Sequence, residues 1–257
     1  MWSLREWRRR RILQRSRIPE HLWRDAFARL AVLRTLCEED RQRLRDLAVL
    51  FLHEKVIEGA LDLVVTDEMR VAVALQACLP VLNLGLDWYA GWVSIILYPA
   101  GFIPEREYTD GAGVVHAARH ALSGESWLRG PVILSWDDVA PDNMGAGHNV
   151  VIHEFAHKLD MLDGSANGLP PLHASMKVRT WAEVFSQAYA DFQERIERGE
   201  ETGIDPYGAQ QPGEFFAVLS EVFFELPSVI EQNYPAVYLQ LREFYRQDPA
   251  ARQSLPA

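Results

Sequence analysis

Along most of the chain, apolar residues recur every three to four positions, which predicts helices. Pro19 suits a first helical turn, and Trp23, Phe27, Leu30 and Leu33 trace an apolar stripe after it. A second helix is predicted from about Glu38 to Lys55, carrying Leu44, Leu47, Leu50 and Phe51. Thr66 reads as the N-cap of a third, with Asp67 and Glu68 in its first turn and its end near Pro80. The middle of the chain changes period. Val93–Tyr98, Gly113–Ala117 and Pro131–Trp136 read as strands, with a turn at Ser123-Gly124. A glycine-rich loop, Asp142–His148, then leads into an apolar helix from Asn149 to about Leu162, closed by Gly164. A long amphipathic helix follows, from about Met176 to Arg198, and then a polar loop, Gly199–Gly213. The next helix, Glu214–Glu225, stops at Pro227. Pro235 opens a last one with Tyr238, Leu241, Phe244 and Tyr245. Helices at both ends around a small sheet predict an α+β fold.

Composition narrows the picture. The 257 residues are 48% hydrophobic and 24% charged, which suits a soluble globular chain large enough to bury a core without disulfides. Cys37 and Cys78 lie in apolar helical patterns outside any C-x-x-C pair, and both are expected to be buried thiols in a reducing compartment. The apolar stretch Val71–Pro104 is interrupted by Pro80, Asn83, Gly85, Asp87 and Gly91, so it reads as core and not as a membrane span. No apolar segment follows the basic start as it would in a signal peptide, and the chain is expected in the cytoplasm.

The net charge of −10 argues against general affinity for nucleic acid or anionic membranes, and no stable membrane association is expected. The charge is uneven, however. Residues 1–17 hold seven arginines (Arg5, Arg8, Arg9, Arg10, Arg11, Arg15 and Arg17) against Glu6, leaving −16 on the rest. The plain reading of this arm is a solvated terminus. The other is a contact with nucleic acid or an anionic membrane.

The segment His153-Glu154-Phe-Ala-His157 carries the chemistry. Positions i and i+4 of a helix share a face, so His153 and His157 can present two imidazoles to one ion. Glu154 then stands over that ion as a base without ligating it, which is the His-Glu-x-x-His arrangement of zinc peptidases. Zinc acidifies water to a pKa of about 7, and a carboxylate beside it can take the proton during attack on a carbonyl. A third protein ligand is needed. Asp163 is one candidate. Glu214 and Glu221, seven apart on one helix face, are the others, because a carboxylate turned inward on an apolar helix needs a partner. Asp160 is a candidate to orient an imidazole, or else a plain polar residue at a helix end. His116, His120, His148 and His173 read as ordinary surface or core histidines. Trp88, Trp92, Trp127 and Trp136 read as core or cleft wall. Val132–Trp136 reads as an edge strand against which a peptide could lie.

The runs IHEFAHKLD, EFFAVLSEVFF, CLPVLNLGLDWY and GPVILSW, in their order, resemble the Mlc titration factor A family of bacterial zinc peptidases. The resemblance spans about residues 20–250 and leaves out the basic arm. It implies a single zincin-like domain over 19–250, between an arm (1–18) and a tail (251–257), with a catalytic core similar to anthrax lethal factor. It implies a gluzincin in which Glu214 joins His153 and His157 on one Zn²⁺, Glu154 is catalytic, and Tyr207 stabilises the oxyanion. Two activities are implied. One is aminopeptidase-like hydrolysis of a peptide substrate. The other is capture of an Mlc-like transcriptional repressor, which needs no catalysis.

Overall fold

The computed structural model describes residues 4–101, 130–140 and 147–253, together with the backbone of 106–109, 115–118 and 124–126. The elements in chain order are α1 (Leu4–Arg15), α2 (Glu20–Arg29), α3 (Glu38–Glu54), β1 (Val56–Gly59), α4 (Asp67–Cys78), β2 (Ser94–Tyr98), β3 (Arg106–Thr109), β4 (Val115–Ala118), β5 (Gly124–Ser126), β6 (Val132–Ser135), α5 (Trp136–Val139), α6 (Val150–Asp160), α7 (Val178–Glu197), α8 (Pro212–Glu225), α9 (Pro227–Asn233), α10 (Pro235–Tyr245) and α11 (Pro249–Gln253). This is an α+β fold, mostly helical.

The four-stranded sheet has the order β1-β2-β6-β5. β1, β2 and β6 run parallel, and β5 pairs antiparallel on the outside of β6. Ile95 and Leu97 alternate into the core from β2, as Val132 and Leu134 do from β6. β3 and β4 form a separate antiparallel pair. Two expectations change here. β6 is flanked on both sides, so it is no edge strand; β5 holds that place, with Gly124 inside it instead of in a turn. β1 was hidden from the pattern because Ile57 is its one buried residue. The predicted loop residues 142–146, the turn residue Ser123, and His120 and Trp127 lie outside the described residues.

The helices follow the predicted stripes closely. Thr66 caps α4 by accepting from the Met69 N–H. Cys78 is buried, but Cys37 sits exposed at the start of α3, contrary to expectation, because the apolar pattern there breaks between two helices. The basic arm is also ordered. It forms α1, which packs on α3 and is tied down by Arg5 and Arg9 to Asp87. Among the described residues no helix is long and apolar enough to cross a membrane.

α6 lies at the centre. It packs against α8, α4, β5 and β6. Its inner face is Phe155, fully buried between the histidines in sequence but pointing away from them. The Phe155 ring meets Phe51 at 5.7 Å, Tyr89 at 5.0 Å and Trp92 at 5.6 Å, in tilted and edge-on contacts. The Trp92 ring in turn carries the ammonium groups of Lys55 at 4.0 Å and Lys158 at 5.0 Å. Lys55 donates to the Tyr89 and Trp92 carbonyls, and Lys158 to Gly130 O at 2.9 Å. A charged residue is thus tolerated inside this helix because cation–π contact and carbonyls replace its water. Phe155→Ala should cost about 3–5 kcal/mol and lower Tm by about 10 °C in thermal unfolding.

Candidate metal centre

Asn149 starts α6 and fixes its direction. Its side-chain oxygen accepts from the Ile152 N–H at 3.0 Å, a direct N-cap. Its amide donates to Gln76 Oε1 of α4 and Glu225 Oε1 of α8, and its N–H donates to Glu221 Oε2. Three helices are therefore registered at one residue, four positions before His153.

From this start His153 and His157 project together, with ring centroids 4.8 Å apart. Their Nε2 atoms are 3.1 Å apart, and Glu214 Oε2 lies 3.0 Å from one and 3.2 Å from the other. These spacings are close to the roughly 3.3 Å edge of a tetrahedron whose corners sit about 2.0–2.1 Å from Zn²⁺. Glu214 comes from the first turn of α8, where Gln211 Nε2 donates to its Oε1 and leaves Oε2 aimed at the imidazoles. Asp163 is exposed and outside this group, so of the candidates for a third ligand Glu214 is the one brought in. Glu221 has another position. Its Oε1 sits 2.7 Å from His153 Nδ1, behind the ring.

Within the cluster, the buried atoms Glu154 Oε2 and His157 Nδ1 have no hydrogen-bond partner among the described residues. Three carboxylates, Glu154, Glu214 and Glu221, converge on two imidazoles. Burial pushes His153 down, but hydrogen bonds to Glu214 and Glu221 outweigh it and hold its pKa well above the usual range. Burial dominates at His157, which is lowered. Burial opposes ionisation of Glu214, yet the two histidines hold it far below the usual carboxylate range. Burial pushes Glu154 up to about 8, against the pull of His153. A dication at the two Nε2 atoms and Glu214 Oε2 answers this excess of carboxylate, so the donor set fits a metal in number, type and spacing.

Asp160 does not touch an imidazole. Its Oδ2 accepts from the Gly168 N–H at 2.7 Å, while Trp181 Nε1 donates to Gly168 O at 2.8 Å. Gly168 has φ +78°, and a Cβ there would meet Pro212 O at 2.6 Å. Asp160 therefore holds the loop after α6 against the start of α8, two residues before Glu214. Tyr207 lies in the turn Pro206–Ala209, where Asp205 accepts from its N–H. Its ring centroid is 6.1 Å from that of His153. His148 is exposed and pairs with Asp205 at 3.4 Å, and His173 Nε2 donates to Phe244 O. Both stay out of the cluster, as expected of ordinary histidines. Of the other side chains, Trp92 is buried and Trp88 and Trp136 are half-buried.

Comparison with known proteins places the whole chain in a family. The family described as "Glucose-regulated metallo-peptidase M90" matches residues 4–246. The chain belongs to this family. Relatives of this M90 chain include proteins named Mlc titration factor A. One from Yersinia enterocolitica serotype O:8 / biotype 1B is 39% identical over 233 residues, covering 90% of this chain and 86% of the relative. One from Serratia proteamaculans (strain 568) is 41% identical, covering 90% and 88%. The M90 match begins at Leu4, so it takes in α1, which the resemblance read from motifs left out.

Two outcomes are expected. Glu221→Gln should weaken Zn²⁺ affinity about 10–100-fold in a chelator competition, because His153 loses its anionic support. Burial raises Asp160 to about 6 from 3.8, so ionising it costs stability as pH rises through that interval. Relative to the parent, Asp160→Asn should therefore gain about 2–3 kcal/mol in urea unfolding between pH 4 and pH 6, and no more above it.

Proposed function

We propose that this chain is a zinc-dependent peptidase in which His153, His157 and Glu214 hold the ion. The observation that carries the reading is the meeting of His153 Nε2, His157 Nε2 and Glu214 Oε2 within hydrogen-bond distance of one another. Membership of a metallo-peptidase family supports it independently. A bound Zn²⁺ supplies Lewis acidity to a scissile carbonyl and acidifies water at the site toward a pKa of about 7.

Glu154 is the base. Its Oε2 is buried, without a hydrogen-bond partner among the described residues, and one position along the helix from the first histidine. From this place it takes the proton of the attacking water and passes it to the leaving nitrogen. Tyr207 donates its hydroxyl to the oxyanion, and the Asp205 cap holds its turn beside His153. Glu221 keeps the His153 ring oriented. A peptide pairs with β5, one of the two outer strands of the four-stranded sheet and the one packed on α6. The family resemblance supports aminopeptidase-like cleavage and a cytoplasmic place of action.

A second reading rests on the name of the relatives. Mlc titration factor A describes proteins that titrate Mlc, so this chain would bind an Mlc-like repressor through its surface whether or not it cleaves.

Glu154→Gln should retain zinc by metal analysis and lose about 10²–10⁴-fold in kcat on peptide substrates. Cleavage at the parent rate would remove Glu154 from its role. Repressor capture that persists in this variant would separate binding from hydrolysis.

A further inference from the structure

The peptidase reading does not use α1, although this helix holds most of the excess positive charge. Its two faces differ. Arg5 and Arg9 pair with Asp87, and Ile12 and Leu13 pack on the core, so this side is committed to the body. Leu4, Trp7, Arg8, Arg11 and Arg15 recur at helical spacing on the other side. All five are exposed, Leu4 at 88% and Trp7 at 55%, and the Arg11 guanidinium lies 5.2 Å over the Trp7 ring.

We propose that this face of α1 is a reversible docking surface for an anionic lipid bilayer. Charge complementarity selects an anionic partner, since the three arginines stand together, exposed, on one side of α1. The apolar residues select among anionic partners. A duplex offers phosphates but leaves Leu4 and Trp7 in water, whereas a bilayer interface takes both the cations and an amphipathic ring. The remaining chain carries −16, which a negative surface would repel. At physiological salt, exposed charges more than about 8 Å away through solvent are largely screened, so a surface at α1 meets its arginines first. One Trp, one Leu and three arginines make a weak, salt-sensitive contact and not an anchor.

The test is co-sedimentation of the full chain with vesicles of phosphatidylglycerol mixed with phosphatidylcholine, against phosphatidylcholine alone. Partitioning into the anionic vesicles only, lost at high salt, is the expected result. The triple variant Arg8→Gln, Arg11→Gln and Arg15→Gln should partition about 100-fold less. Trp7→Ala, which keeps every charge, should partition about tenfold less. The proposal is overturned by equal binding to both vesicles, by a Trp7→Ala variant that partitions like the parent, or by duplex DNA that displaces the vesicles at equal phosphate concentration.

Discussion

Burial of three carboxylates around two imidazoles is the constraint on which this molecule turns. Glu154, Glu214 and Glu221 lie almost out of water, where an uncompensated charge is costly. Compensation must come from partners held in place. His153 is gripped from both sides, by Glu214 at Nε2 and Glu221 at Nδ1. The surrounding fold serves to bring α6 and α8 together at a fixed register.

Two polar pins set that register. Asn149 ties the head of α6 to α4 and to the far end of α8. Asp160 ties the tail of α6, through Gly168, to the start of α8. The site sits between these pins, and Phe155 locks the opposite face of α6 into aromatic packing. A helix so held cannot rotate without breaking buried hydrogen bonds, which gives the histidines a preorganised geometry.

Much of this was legible in the residues. Periodicity located the long helices, because their stripes are continuous and their caps, Thr66 and Asn149, are polar residues next to apolar runs. The spacing of His153 and His157 put both rings on one face, and that face is the one that meets α8. The four-residue β1 was not legible, since a half-buried edge strand leaves no alternation long enough to read. The helix in the basic arm was not legible either, because charge masked the two apolar residues that dock it.

Local spacing by itself determined which side chains share a helix face: the two histidines and Glu154 on α6, and Glu214 and Glu221 on α8. It could not decide what each face meets. Tertiary packing made Glu214 the third member of the cluster and left Asp163 in solvent. It sent Glu221 behind an imidazole, turned Asp160 to a loop backbone, and covered β6 with β5. The physical reason is that periodicity acts along one element, whereas the cluster is closed by residues some sixty positions apart, and only the packed core brings those to 3.0–3.2 Å.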